Sequence, residues 1–139
     1  MQEVFSEFLT SERIAVLSVL MPDGTVHGAT MHFAHQQDPL TVIFLMGKDS
    51  RKMASLREVE SAPASIVVGT EEALMKTLQL DGAVRLISDE KLQEVYFEKF
   101  PEKRAKFVGP NDVFVAFTPT WWRYSDYKAP ADKKIITSE

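Results

Sequence analysis

The sequence contains no cysteine, which excludes disulfide frameworks, thiolate metal sites and cysteine nucleophiles. The absence also fits a reducing compartment. Cations are in the minority: 16 Lys and Arg stand against 20 Asp and Glu, a formal net charge of -4. That balance offers no net basic face for sequence-independent nucleic-acid binding. No apolar run approaches the roughly 20 residues that span a bilayer. Glu3, Glu7 and Glu12 break up the first apolar residues, where a secretory signal needs a basic stretch and then an uninterrupted apolar one. Cytoplasmic residence is the expectation. The chain also lacks a Walker loop, a nucleophile elbow, an internal repeat and any low-complexity tract. His27, His32 and His35 fall on one predicted strand. His27 and His35 share a face but lie too far apart to meet at one ion, since a strand rises roughly 3.3 Å per residue. His32 points the other way, so no metal site is expected.

With 139 residues, 45% of them hydrophobic, the chain suits one domain with a real core. Val4, Phe5, Phe8 and Leu9 recur at helical spacing, predicting a short helix over 2–9. Ile14 to Leu20 is apolar and β-branched and reads as a buried strand. Pro22-Asp23-Gly24 signals a turn, and a second strand is expected over 26–35, forming a hairpin with the first. Asp38-Pro39 marks another turn, and Thr41 to Met46 a third strand. From Lys48 the spacing of Met53, Leu56 and Val59 predicts a helix capped by Asp49 or Ser50, ended at Pro63. Ala64 to Gly69 gives a fourth strand. Leu78, Leu80, Val84 and Leu86 alternate with polar residues, so Lys76 to Ile87 is a long half-buried strand in which Gly82 permits a bulge. Ser88 or Asp89 caps a helix carrying Leu92, Val95, Tyr96 and Phe100, closed by Pro101. A sixth strand spans Val113 to Thr118 and stops at Pro119. The expected architecture is mainly β with flanking helices: a six-stranded antiparallel sheet curled into a barrel. It occupies 1–129, and 130–139 is expected to be a mobile tail.

Three segments carry candidate chemistry. Gly47-Lys48-Asp49-Ser50-Arg51-Lys52 joins a strand to a predicted helix start, where unpaired N–H groups, two cations and a hydroxyl suit a phosphate. A solvated basic turn would show the same residues. Gly28-Ala29-Thr30-Met31-His32-Phe33 has small residues that let a flat ring approach the backbone; an ordinary strand with a polar outer face is the alternative. Trp121-Trp122-Arg123-Tyr124 and Tyr127 form the densest aromatic stretch, suited to packing, to a subunit interface or to walling a planar ligand.

Taken in order, these pieces resemble the FMN-binding split barrels of the pyridoxamine 5'-phosphate oxidase-like group, most closely the short branch of general-stress flavoproteins. The likeness runs from about Glu3 to Tyr127. It rests on the opening helix, Ile14 to Leu20, Asp23-Gly24, Thr30-Met31-His32-Phe33, Ser50-Arg51-Lys52 with Leu56, Pro63, and Leu80-Asp81-Gly82-Ala83. The resemblance implies a split barrel that holds FMN non-covalently at a homodimer interface and serves as an oxidoreductase on a small molecule. It implies phosphate contacts from Ser50, Arg51 and Lys52, and contacts along the flavin from Thr30, Met31 and His32. Leu45 and Met46 would lie beside the cofactor, Thr77 or Gln79 would give a polar contact, and Trp122 of the second subunit a ring contact. His32 is the candidate proton carrier. A flavin-binding or stress-related protein without efficient turnover, and a split barrel for haem or a deazaflavin, are the alternatives. Two departures stand out. Ala29 lies near the place where the family often carries a phosphate-binding arginine, which leaves more of the charge to Arg51 and Lys52. The end at Lys133-Lys134-Ile135-Ile136 lacks the basic C-terminal portion of true pyridoxamine phosphate oxidases, so vitamin B6 oxidation is not expected.

Overall fold

The computed structural model describes residues 2–104 and 109–138. Met1, residues 105–108 and Glu139, among them the outer limits of the expected domain and tail, lie outside the described residues. Strands β1 (Ile14–Leu20) and β2 (Val26–His32) form the expected hairpin. Asp23 shapes its turn by accepting the Thr25 N–H at 3.0 Å, and Gly24 takes φ +86°, a conformation glycine adopts without steric cost. Alternation puts Ala15, Leu17 and Val19 inside, and through the register Met31, Ala29 and His27 of β2 point to the same face.

Six further strands follow among the described residues: β3 (Ala34–Gln36), β4 (Thr41–Gly47), β5 (Ala62–Val68), β6 (Lys76–Ile87), β7 (Asp112–Asp126) and β8 (Ile135–Thr137). The sheet order is β2-β1-β5-β6-β7-β4-β3, with β8 on β7, and every pairing is antiparallel. The sheet curls into a split barrel of eight strands, not six. The expected strand over 26–35 breaks at Phe33, which is fully buried, so that β2 pairs with β1 and β3 with β4. The eighth strand lies in the expected tail, where Arg123, Tyr124 and Ser125 pair with Thr137, Ile136 and Ile135.

Pro63 and Pro119 both belong to strands, β5 and β7. Pro63 lies at the start of β5, beyond the last β1 pair at Val19↔Ala64, where a missing N–H interrupts no β1–β5 bond. Pro119 lies where the β6–β7 register shifts between Asp81 and Gly82. The extra residue there bends both long strands and lets the barrel curl.

The barrel core comprises residues such as Leu17, Ile66, Leu80, Phe44, Phe117 and Trp122. The N-terminal 3-10 turn Gln2–Phe5 and helix α1 (Ser6–Ser11) close one side with Phe5, Phe8 and Leu9, while Val4 stays exposed. Helix α2 (Glu90–Lys99) is capped by Asp89, which accepts the Lys91 N–H at 2.8 Å. It lays Tyr96, Phe97 and Phe100 on Ala34, Ile43 and Phe114. Strand β4 is therefore covered on both faces, which is why Val42 to Met46 is an unbroken apolar run. Helix α3 (Pro101–Arg104) follows at once: Pro101 takes the first helical position, where its missing N–H costs nothing.

The helix expected from Lys48 is absent. Two separate 3-10 turns, Arg51–Met53 and Ser55–Arg57, stand in its place, and neither has a side-chain cap. The i,i+3 spacing of Met53 and Leu56 fits three residues per turn as well as it fits an α-helix, and both side chains are buried in the barrel core.

Candidate functional site

Strand β2 pairs with β1, and β4 with β3 and β7; no ladder joins β2 to β4 among the described residues. A cleft of about 340 Å³ opens between them. Met31, Leu45 and Met46 give its apolar walls, and Lys52, Lys103, Tyr96 and Asp112 its polar rim. The walls follow from alternation: Met31 points into the barrel, and β4 ends beside it, with Gly47 opposite Asp112.

The turn after β4 is tightly braced. Lys48 donates its N–H to the Asn111 carbonyl at 2.7 Å, and the Ser50 N–H reaches the Gly47 carbonyl at 3.1 Å. Arg57 closes the loop from behind, donating from Nη1 to the Lys48 carbonyl at 2.8 Å. Ser55 Oγ donates to the Leu20 carbonyl and ties the turn to β1. Ser50 Oγ is buried with no hydrogen-bond partner, an unusual condition for a native hydroxyl. One 3-10 turn has no summed helix dipole, so any attraction for an anion here comes from side-chain charge and from that free hydroxyl.

Across the cleft, Lys103 Nζ lies 2.8 Å from His32 Nδ1 and donates to the Tyr96 hydroxyl at 3.1 Å. Burial and then the neighbouring Lys103 charge hold His32 below its ordinary pKa. The ring is therefore neutral at neutral pH, its Nδ1 accepts from Lys103 and its proton sits on Nε2. Burial also lowers the Lys103 pKa and raises Tyr96 to about 12. The His32 ring packs edge-on against Phe100 at 5.2 Å.

The expected site residues divide. The cleft gathers Met31, Leu45, Met46 and Lys52, with His32 beside it through Lys103. Ser50 lies two residues from Lys52 in the same turn, and Arg51 is exposed. The others lie elsewhere on the protomer. Thr30 and Gln79 are exposed on the outer face of the sheet, in one transverse row: Thr30 opposite Val16, Val16 opposite Val67, Val67 opposite Gln79. Thr77 donates to the Val68 carbonyl at 3.1 Å. Trp122 is 4% exposed, packs edge-on against Phe5 at 4.8 Å and lines a second cleft with Gln37 and Asp38. Sequence reasoning missed Lys103, Tyr96 and Asp112, whose proximity to β2 and β4 is a tertiary fact with no local signature.

Chemically, the cleft suits a ligand with an apolar body and an anionic end. Among the described residues no cluster of His, Asp or Glu could hold a metal ion, and no helix is long and apolar enough to cross a membrane.

Known structures share this architecture. A protein from Clostridium acetobutylicum related to general stress protein 26, of the pyridoxinephosphate oxidase family, is 15% identical; the match covers 99% of this chain and 95% of that one, with a TM-score of 0.69. A Listeria innocua protein provisionally assigned as a pyridoxamine 5'-phosphate oxidase is 23% identical over 88% of this chain and 96% of its own, also with a TM-score of 0.69. A heme binding protein from Mycobacterium smegmatis is 10% identical with a TM-score of 0.71; 92% of this chain matches 53% of it, about half its length. At these identities the likeness is one of fold. No curated protein matches the chain. The family model described as pyridoxamine 5'-phosphate oxidase matches residues 1–126, and the chain belongs to that family.

Proposed function

We propose that this chain holds FMN non-covalently in the cleft between β2 and β4, at the seam of a homodimer, and acts as an oxidoreductase on a small molecule. The observation that carries the reading is the composition of the cleft. Met31, Leu45 and Met46, expected along the flavin, line it together with Lys52, expected at the phosphate. The unpartnered Ser50 hydroxyl in the same turn supplies a hydrogen bond that a phosphate oxygen would accept.

FMN supplies the redox chemistry when bound; the protein supplies binding, orientation and electrostatics. Lys52 and Arg51 neutralise the phosphate. Met31, Leu45 and Met46 keep water from one side of the ring system. His32, joined to the cleft through Lys103, is the candidate proton carrier.

The second copy is expected on the outer face of the sheet. That face presents Val16 and Val67 between Thr30 and Gln79, with Ile14, Leu20 and Val26 exposed on the same side at 45%, 38% and 76%. Such a patch is suited to an interface between copies. A two-copy site also accounts for Thr77 and Gln79 lying away from the cleft of their own protomer, whereas Trp122 is packed inside the barrel.

The absorption spectrum of the purified protein, alone and after FMN addition, tests the reading. The expected result is the two-banded flavin spectrum with quenched fluorescence, on a species that sediments as a dimer. A protein that takes up no flavin, or that shows the single intense band of haem, contradicts it. Anaerobic reduction of the bound flavin by NADH or NADPH supports turnover; a flavin inert to both favours a binding role.

A further inference from the structure

Met31, Leu45 and Met46 suit a ring system and Lys52 a phosphate. Asp112 lines the same cleft, and a carboxylate serves neither end of such a ligand. The sheet fixes its place. Asp112 opens β7 directly opposite Gly47, the last residue of β4, and the next pair on that face is Leu45 with Phe114. Leu45 and Phe114 pack in the cluster beneath α2, so alternation puts the Asp112 side chain on the same side. Gly47 leaves the space beside it open: a Cβ placed there would meet nothing closer than the Asn111 carbonyl oxygen at 4.0 Å. Side chains paired across a ladder stand about 5 Å apart, so the carboxylate borders that gap. In chain order the gap falls between the apolar wall at Leu45 and Met46 and the cation at Lys52.

We propose that Asp112 reads the middle of the ligand: its carboxylate accepts hydroxyl groups of the polyol chain that joins the flavin ring to the phosphate. The inference rests on the flavin reading and deepens it, adding selection for a hydroxylated link over an apolar one. The carboxylate has acceptor capacity for this. Its Oδ2 accepts the Gly109 N–H at 3.2 Å, which holds the group in place. Among the described residues no ion pair joins it to Lys52 or to another cation. An ionised carboxylate offers about four acceptor sites, and hydroxyl donors make short, strong bonds to it.

Flavin fluorescence titrations of the full-length protein with riboflavin and with lumiflavin test this. Lumiflavin has the same ring with a methyl group in place of the hydroxylated chain, and neither ligand carries a phosphate. FMN is titrated alongside. Wild type, Asp112→Asn and Asp112→Leu are compared. Asp112→Asn keeps an acceptor for the Gly109 N–H, so it serves if the leucine variant does not fold. The expected result is a riboflavin affinity reduced about tenfold in Asp112→Leu and about threefold in Asp112→Asn, as for loss of charge-assisted hydrogen bonds. Lumiflavin affinity should stay within about twofold of wild type in both. If the two ligands change in parallel, or if FMN binds more tightly while riboflavin is unaffected, the inference fails and the flavin reading stands. If wild type binds none of the three ligands, the flavin reading itself fails.

Discussion

A Cβ atom placed on Gly82 would lie 2.1 Å from the carbonyl oxygen of Thr118, with the Pro119 Cα at 2.9 Å. The two long strands pair with a register shift at this point, and the close approach leaves room only for hydrogen. Neither neighbour is a flexible side chain that can move aside. Gly82→Ala should therefore destabilise the fold by roughly 2–4 kcal/mol, in the range of severe overpacking. Urea unfolding followed by far-ultraviolet circular dichroism checks this; a midpoint unchanged from wild type would show that β7 yields at the bulge.

The Ser50 hydroxyl is buried without a partner, so the ligand-free protein gains nothing from it. Ser50→Ala should leave the unliganded fold as stable as wild type or more stable by up to ~1 kcal/mol, while weakening FMN binding. Denaturation and flavin titration measured on the same variant separate the two effects. A clear loss of unliganded stability would mean that the hydroxyl serves the fold.

Burial and the Lys103 charge lower the pKa of His32 from its ordinary 6.5. The unfolded chain then binds the proton more readily than the folded one. The stability contributed by the neutral ring is fully present above pH 6.5 and is lost as pH falls through the lower folded value. Protonation also removes the acceptor for Lys103. A two-dimensional NMR titration of the histidine ring should show a midpoint below 6.5 that returns towards 6.5 in Lys103→Gln. A midpoint at or above 6.5 in wild type contradicts the described geometry.

Lys99 is a half-buried cation serving structure. Its Nζ donates to the carbonyls of Leu9 and Glu12 at the end of α1 and sits 4.1 Å from the Phe33 ring centre. Desolvation lowers its pKa from 10.5 to about 8. Between those values the unfolded state holds one proton more than the folded state, so stability should rise with pH across this window. Denaturant midpoints from pH 7.5 to 10.5 should climb more in wild type than in Lys99→Met; parallel profiles would place the titration elsewhere.

Much of this fold is legible locally. Strands β1, β4 and β6 follow from runs and alternation at 14–20, 41–46 and 76–87, and Gly82 announces its bulge by its place in a period-two pattern. Other features depend on contacts that a linear reading does not contain. Pro119 looks like the end of a strand because proline cannot donate to a ladder, but the bulge absorbs the missing bond and β7 continues to Asp126. Phe33 looks like one more strand residue, yet its burial turns the chain from one ladder to another. The turn at 50–52 stands out by its cations, and Met31, Leu45 and Met46 by their strand positions. Lys103 is invisible to such reasoning, since its partner His32 lies 71 positions away.

The proposed flavin site needs a phosphate held by Ser50, Arg51 and Lys52 in the turn after β4. Its most direct test is isothermal titration of the wild-type protein with FMN and with riboflavin, at low salt and again at high salt. FMN should bind at least about tenfold more tightly at low salt, and the advantage should shrink as salt screens the cations. Equal affinity for the two ligands at both salt concentrations would contradict the assignment of that turn.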